Sequence, residues 1–263
     1  MARPNPLYGT GIFRRRIRLQ AAQGQVSVDL EDGNHGFRLR LWHDGERVTT
    51  VEVDPLRIPF NTCAEAQRPL QRVIGHRLDE DDATLRSRLV PGDNCTHLYD
   101  MAVLAVAHAA AHLSKRRGDG ITDDGCTTCL YDMEVDDERD GVTRARIACN
   151  GQPVHDWAIA QHTLHEPAEH AGRPVMRGFH AWASKSFSGM PREAAFALQR
   201  AYFVAQARRH SFEPAAEHPG ASDGMPQGAC YSYNTGVVER AFRSNGTVRD
   251  FTDSPELLLK FLP

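Results

Sequence analysis

Apolar and polar residues alternate along much of residues 14–53, and this period of two predicts four strands, at 14–22, 25–31, 36–43 and 47–53. The alternation is clearest in Phe37-Arg-Leu-Arg-Leu and in Val48-Thr-Thr-Val-Glu-Val. Two turns separate these strands: His43-Asp-Gly-Glu, where Gly45 permits a tight hairpin, and residues 31–36, which carry Glu31, Asp32 and His35. The period then becomes helical. A helix is expected from Asn61 or Thr62 to residue 74, closed by Gly75 and bent at Pro69. A second helix covers 94–112, with Asn94 or Thr96 as its cap. His97, Met101, Leu104, His108 and His112 follow one another at steps of four, three, four and four, so they share one face.

After residue 115 the strand pattern returns, at 129–135, 142–149 and 154–160, with Asn150-Gly151 as a hairpin turn. A helix over 192–209, a short strand at 230–233 and a helical stretch at 237–243 complete the chain. The expected fold class is α+β: an antiparallel sheet with helices on one side in residues 1–115, extended by a second α+β half in 126–263. The two halves could also form one continuous domain.

Composition narrows the function. A quarter of the 263 residues are charged and the net charge is -3, so no basic footprint for nucleic acid exists. The short run Arg14, Arg15, Arg16 and Arg18 fits an exposed strand whose alternate arginines lie in solvent. No stretch has the length of a membrane span and no secretory signal opens the chain, so a cytoplasmic, soluble protein is expected. Six cysteines then point to free thiols or metal ligands rather than a disulfide framework. Cys126 and Cys129 form the one Cys-x-x-Cys pair, without the second pair of a zinc site or the helix that follows a thioredoxin motif.

The candidate chemistry gathers in three places: the 31–35 turn, Cys63 at one helix start, and Cys95, His97 and Asp100 at another. Helix amides near Cys95 should lower its pKa, and two thiolates with a histidine or carboxylate suit zinc or iron. His108 and His112, deeper in an apolar helix, are expected to be core histidines. Aromatic residues of the second half should wall a pocket.

Several motifs resemble a bacterial family known as domain of unknown function 2889: Arg14-Arg-Arg-Ile-Arg-Leu, the Glu31-Asp turn with His35, Thr62-Cys-Ala with Gly75, and Asn94-Cys-Thr-His-Leu-Tyr-Asp. Cys230-Tyr and Arg243 through Arg249-Asp-Phe continue that likeness. Residues 35–112 also resemble the NifU/IscU-type iron–sulfur scaffold proteins, in which a ligand turn precedes a hairpin and two cysteines open successive helices. That second resemblance implies a metal at His35, Cys63 and Cys95. A mixed His/Cys/Cys set suits a single zinc or iron ion better than a transferable cluster.

The leading expectation is therefore a metal-dependent enzyme of bacterial catabolism acting on a small organic molecule, by lyase or hydrolase chemistry. His97 and Asp100 would be its acid–base groups or a fourth ligand, and Trp157, His180, Trp182 and Tyr231 its substrate wall. The alternatives are a metal or iron–sulfur carrier and a metal-free small-molecule binding module.

Overall fold

The computed structural model describes residues 3–119, 127–212 and 218–262. Strand β1 (Arg3–Pro4) pairs only with β10 (His210–Ser211) in a small ribbon. The main sheet contains β2 (Ile12–Ala22), β3 (Gln25–Asp32), β4 (Gly36–His43), β5 (Val48–Arg57), β6 (Thr127–Asp136), β7 (Thr143–Cys149), β8 (Gln152–Ala160) and β9 (Thr163–Glu166). Its eight strands run in the order β5-β4-β3-β2-β6-β7-β8-β9, every neighbouring pair antiparallel. The class is α+β. Strand β2 pairs with β3 on one side and β6 on the other, so the second half of the chain continues the sheet begun by the first.

Parity decides which face is core. On β2, Phe13, Arg15, Ile17, Leu19 and Ala21 are buried, while Arg14, Arg16 and Arg18 face the other way. The register sets Ile17 beside Leu30 and Tyr131, both buried, so one apolar face spans the two halves. The opposite face is laced with ion pairs: Arg14 with Glu134, Arg16 with Asp132, and Arg18 and Arg38 with Asp29. Three of the four early arginines thus lie outward as expected. Arg15 does not.

Helices cover the apolar face. The short α1 (Gln67–Leu70) lies between 3-10 turns at Asn61–Ala66 and Gln71–Val73, so the run expected as one helix is broken around Pro69, which lacks an amide donor. Helix α2 (Asp82–Arg88) begins at Asp81, whose carboxylate accepts from the Thr84 amide at 2.8 Å. Helix α3 (Thr96–Asp119) packs across β2, β3 and β4, while α5 (Gly189–Ala205) packs across β6, β7 and β8. Helix α4 (Phe179–Ser186) leans on α5, with Phe179 against Trp157 at a ring separation of 5.7 Å.

The C-terminal segment consists of short turns rather than the strand and helix expected there. Residues Tyr231–Tyr233 and Val238–Arg240 are 3-10 turns, and a small second core of Phe60, Cys63, Tyr233 and Ala241 holds them to the rest. No helix among the described residues is long and apolar enough to cross a membrane.

Candidate active site

The turn between β3 and β4 is built around one carboxylate. Asp32 is completely buried, and its Oδ1 accepts the backbone N–H groups of Asn34 (2.8 Å) and His35 (2.9 Å). The same oxygen lies 3.0 Å from His35 Nδ1. Arg15 reaches Oδ2 from the core row of β2, through Nε at 3.0 Å and Nη2 at 2.6 Å. Glu31, one residue earlier, is held by Arg57 at 3.1 Å and by the Leu259 amide at 2.6 Å, so it is tied to the C-terminal tail. Gly33 makes the turn's close approach possible: a Cβ there would lie 2.9 Å from the Arg249 carbonyl oxygen.

Charges and protons follow from these contacts. Burial alone would raise the Asp32 carboxyl, but the charges of His35 and Arg15 and the hydrogen bond from His35 hold it well below the usual carboxylate range. An ionised Asp32 can only accept, so His35 Nδ1 carries a proton and donates it. Nε2 is then the ring nitrogen of His35 left for other chemistry. His97 stacks near His35 with ring centroids 3.8 Å apart, and its Nε2 lies 2.8 Å from Arg15 Nη2. A guanidinium has no acceptor, so His97 Nε2 accepts and the ring is neutral with its proton on Nδ1. Burial, His35 and Arg15 together push the His97 pKa well below its ordinary value, in agreement.

Asp32, His35 and His97 present ligand atoms within 4.8 Å of one another and could hold a metal ion. Two of the three donors are already engaged. Asp32 Oδ2 and His97 Nε2 face the Arg15 guanidinium, and a cation between them would be repelled unless Arg15 moved away. His35 is the member of the group whose outer nitrogen is not taken by Arg15 or Asp32.

His35 and His97 line a cavity of about 540 Å³, within the range of small-molecule sites. Its apolar wall includes Phe60, Phe203, Phe212 and Met225. Cys63, Cys95, Cys230 and Ser232 line it too. The guanidinium of Arg243 lies 3.8 Å from the centre of the Phe212 ring and is paired with Asp223 at 2.9 Å.

The first-turn residues of α3 divide between two sides. Cys95 is itself the residue before the first helical one, the place expected for Asn94 or Thr96, and its sulfur lies 3.9 Å from His97 Nδ1. The nearby backbone N–H groups of the first turn favour the thiolate, as expected for a helix N-terminus. Burial outweighs them and pushes the Cys95 thiol up, so the expected lowering does not occur. Burial also pushes Cys63 up to about 12, against a hydrogen bond from Ser232. Both thiols are neutral in the metal-free chain at neutral pH.

His35, Cys63 and Cys95 thus line one cavity, but the expected ligand set is not assembled: the donor atoms within 4.8 Å of one another are those of His35 with Asp32 and His97, and neither cysteine is among them. Tyr231 lines the same cavity, and its hydroxyl donates to Glu65 at 3.3 Å. Asp100 does not project beside His97. It is drawn away by Arg200 at 3.0 Å and lines a second, smaller cavity of about 220 Å³ together with His180. His180 stacks on Phe196 at 3.9 Å, and burial lowers its pKa to about 4. Trp157 and Trp182 pack with Phe179 in the core under α4 instead of walling the cavity, because large flat rings fill the space between helix and sheet. His108 meets Glu193 at 3.3 Å and His112 is buried, both away from the cavity lining. Cys126 lies outside the described residues, while Cys129 sits 3.5 Å from Cys149.

Arg15 and Cys230 fall within the quoted motifs but were not assigned to the site, and Ser232 was not singled out. Arg15 shared the parity of Phe13, Ile17 and Leu19, a signal that it faced inward. No curated protein matches the chain. Residues 14–111, which carry Arg15, the Asp32–His35 turn, Cys63 and most of α3, match the sequence model of the family described as Protein of unknown function (DUF2889).

Proposed function

We propose that this protein is a metal-dependent enzyme acting on a small, largely apolar organic molecule, by lyase- or hydrolase-type chemistry, with one zinc or iron ion on the polar wall of the larger cavity. The observation that carries this reading is the His35–Asp32 pair, a buried carboxylate fixing an imidazole whose free nitrogen borders a ligand-sized apolar cavity. A carboxylate behind an imidazole sets the tautomer and strengthens Nε2 both as a ligand and as a proton acceptor. Cys63 and Cys95 supply soft donors on the same wall, and three donors leave a fourth position for substrate or water. A bound ion there would polarise a carbonyl or activate water. His97, neutral and held by Arg15, keeps the pair in place from behind.

The test is elemental analysis of anaerobically purified protein beside the Cys63→Ser, Cys95→Ser double variant, with near-ultraviolet circular dichroism to confirm folding. About one ion per chain, lost in a folded variant, is the expected result. Absence of metal above background in the wild type would remove the ion from the reading. Iron with matching sulfide, passed on to an apo-protein, would replace the enzyme by a carrier.

A further inference from the structure

We infer that the molecule taken up by the larger cavity is a carboxylic acid with an apolar body, and that Arg243 receives its carboxylate. The inference rests on the proposed ligand cavity and names the class of substrate it takes.

Arg243 is held at a fixed place on the cavity wall. Its stretch of backbone lies against the segment that follows β5. There the Asn61 amide donates to the Phe242 carbonyl at 3.1 Å and the Ser244 amide to the Pro59 carbonyl at 2.9 Å. The Asn61 side chain accepts the Phe242 amide at 2.8 Å. The guanidinium carbon lies over two rings, 4.5 Å from the centre of Phe60 and 3.8 Å from that of Phe212. Aromatic rings attract the flat side of a guanidinium and leave the N–H groups on its edge for hydrogen bonds.

That edge is only partly used. Arg243 Nε and Nη2 both donate to Asp223 Oδ2, at 3.1 and 2.9 Å, and Nη2 also reaches the Tyr233 hydroxyl at 3.1 Å. The Tyr233 hydroxyl donates in turn to the same Asp223 oxygen at 2.8 Å. A guanidinium carries five N–H groups. Arg243 Nη1, with two of them, has no partner among the described residues. The side chain is 13% exposed and lines the cavity, so an acceptor arriving in the cavity is what can meet it. Arg209 repeats the arrangement on the same lining. It donates through Nε to Gln206 at 3.1 Å and through Nη2 to Glu138 at 2.8 Å, and its Nη1 has no partner among the described residues.

Charge selects the acceptor. The described lining carries two guanidinium groups and one carboxylate, and that carboxylate's Oδ2 already accepts three donors. A single negative charge balances the lining, whereas the dianion of a phosphate would exceed it. A carboxylate on Nη1 makes a charge-assisted bond roughly twice as strong as that of a neutral amide. Phe203, Phe212 and Met225 leave the rest of the space to an apolar body.

Isothermal titration of the full chain with hydrocinnamate and with its amide, which differ in charge and hardly in shape, tests this. The Arg243→Gln, Asp223→Asn double variant is titrated beside the wild type, because it removes both charges and leaves neither buried alone. The acid should bind the wild type more than about tenfold tighter than the amide, and the two should bind the variant alike. Equal affinities in the wild type, or a preference that survives in the folded variant, would overturn the carboxylate assignment and leave the apolar cavity and its ion standing. Binding of neither compound would overturn it together with the apolar ligand of the proposed function, while the metal content of the same preparation judges the ion separately. Should the double variant fail to fold, the wild-type comparison decides alone.

Discussion

Among the described residues, the two cavities beside α3 are lined by equal numbers of ionisable residues of different kinds: nine charged residues and two histidines in the smaller, and three charged residues, three histidines, three cysteines and two tyrosines in the larger. In the smaller, Asp100 is paired with Arg200, Arg86 with Asp82, and His180 lies flat on Phe196. Its charged groups largely answer one another at the rim. In the larger, Arg15 neutralises Asp32 from the core side, and this leaves His35 Nε2 and three thiols toward the open space. Chemical potential at a site follows from which valences remain after the fold has been satisfied. A count of ionisable residues would have ranked the two cavities alike.

The comparison breaks most visibly at Asp32. Replacing it by Ala leaves Arg15 charged and buried without its partner, a loss of about 3–5 kcal/mol that urea unfolding would register. A loss below about 1 kcal/mol would mean that water reaches Arg15 and that the pair is not dry. His35→Gln should leave the fold intact and weaken zinc binding by more than about tenfold, as measured by competition with a chelating dye. Undiminished affinity would move the ion away from His35.

Ser232→Ala removes the bridge between Thr62 and Cys63 and should lower stability by about 0.5–1.5 kcal/mol. The smaller cavity is sharpened by pH. Burial holds both His76 and His180 below their ordinary value, His180 at about 4. The unfolded chain therefore takes up protons first, so stability is complete above about pH 6.5 and declines as the pH falls toward about 4. His180→Asn should flatten that decline in urea midpoints compared between about pH 7 and 5; an equally steep limb would exonerate His180. Smallest of all, Asp100→Asn breaks a pair that is about one-fifth exposed on each side and should change stability by only about 0–1 kcal/mol.

Strand parity made most of the sheet legible. It placed the early and late strands and the inward rows of Leu39 and Leu41, which are fully buried. What it could not convey was that β2 pairs with β6 more than a hundred residues away, because side-chain alternation is silent about partners. Helix starts and turns carry their own signatures, and the three residues they marked as one group, His35, Cys63 and Cys95, line one cavity. Arg15 was obscured by its arginine neighbours, although its parity was available. Asp100 was misplaced because spacing along α3 says which residues are near, not which distant arginine competes for one of them. Cys230 stood in a matching motif, but its place beside Cys63 depends on the Thr62–Ser232 contact, made across 170 residues.

That contact has a consequence for the order in which the molecule is made. A ribosome delivers His35, Cys63 and Cys95 long before Ser232, so the nascent chain carries an unroofed half-site while β6 to β9 are still being synthesised. The pocket is finished only when the turns between residues 220 and 243 fold back onto the earlier-made sheet, and a chain arrested before residue 218 would hold its cysteine-lined wall open to solvent.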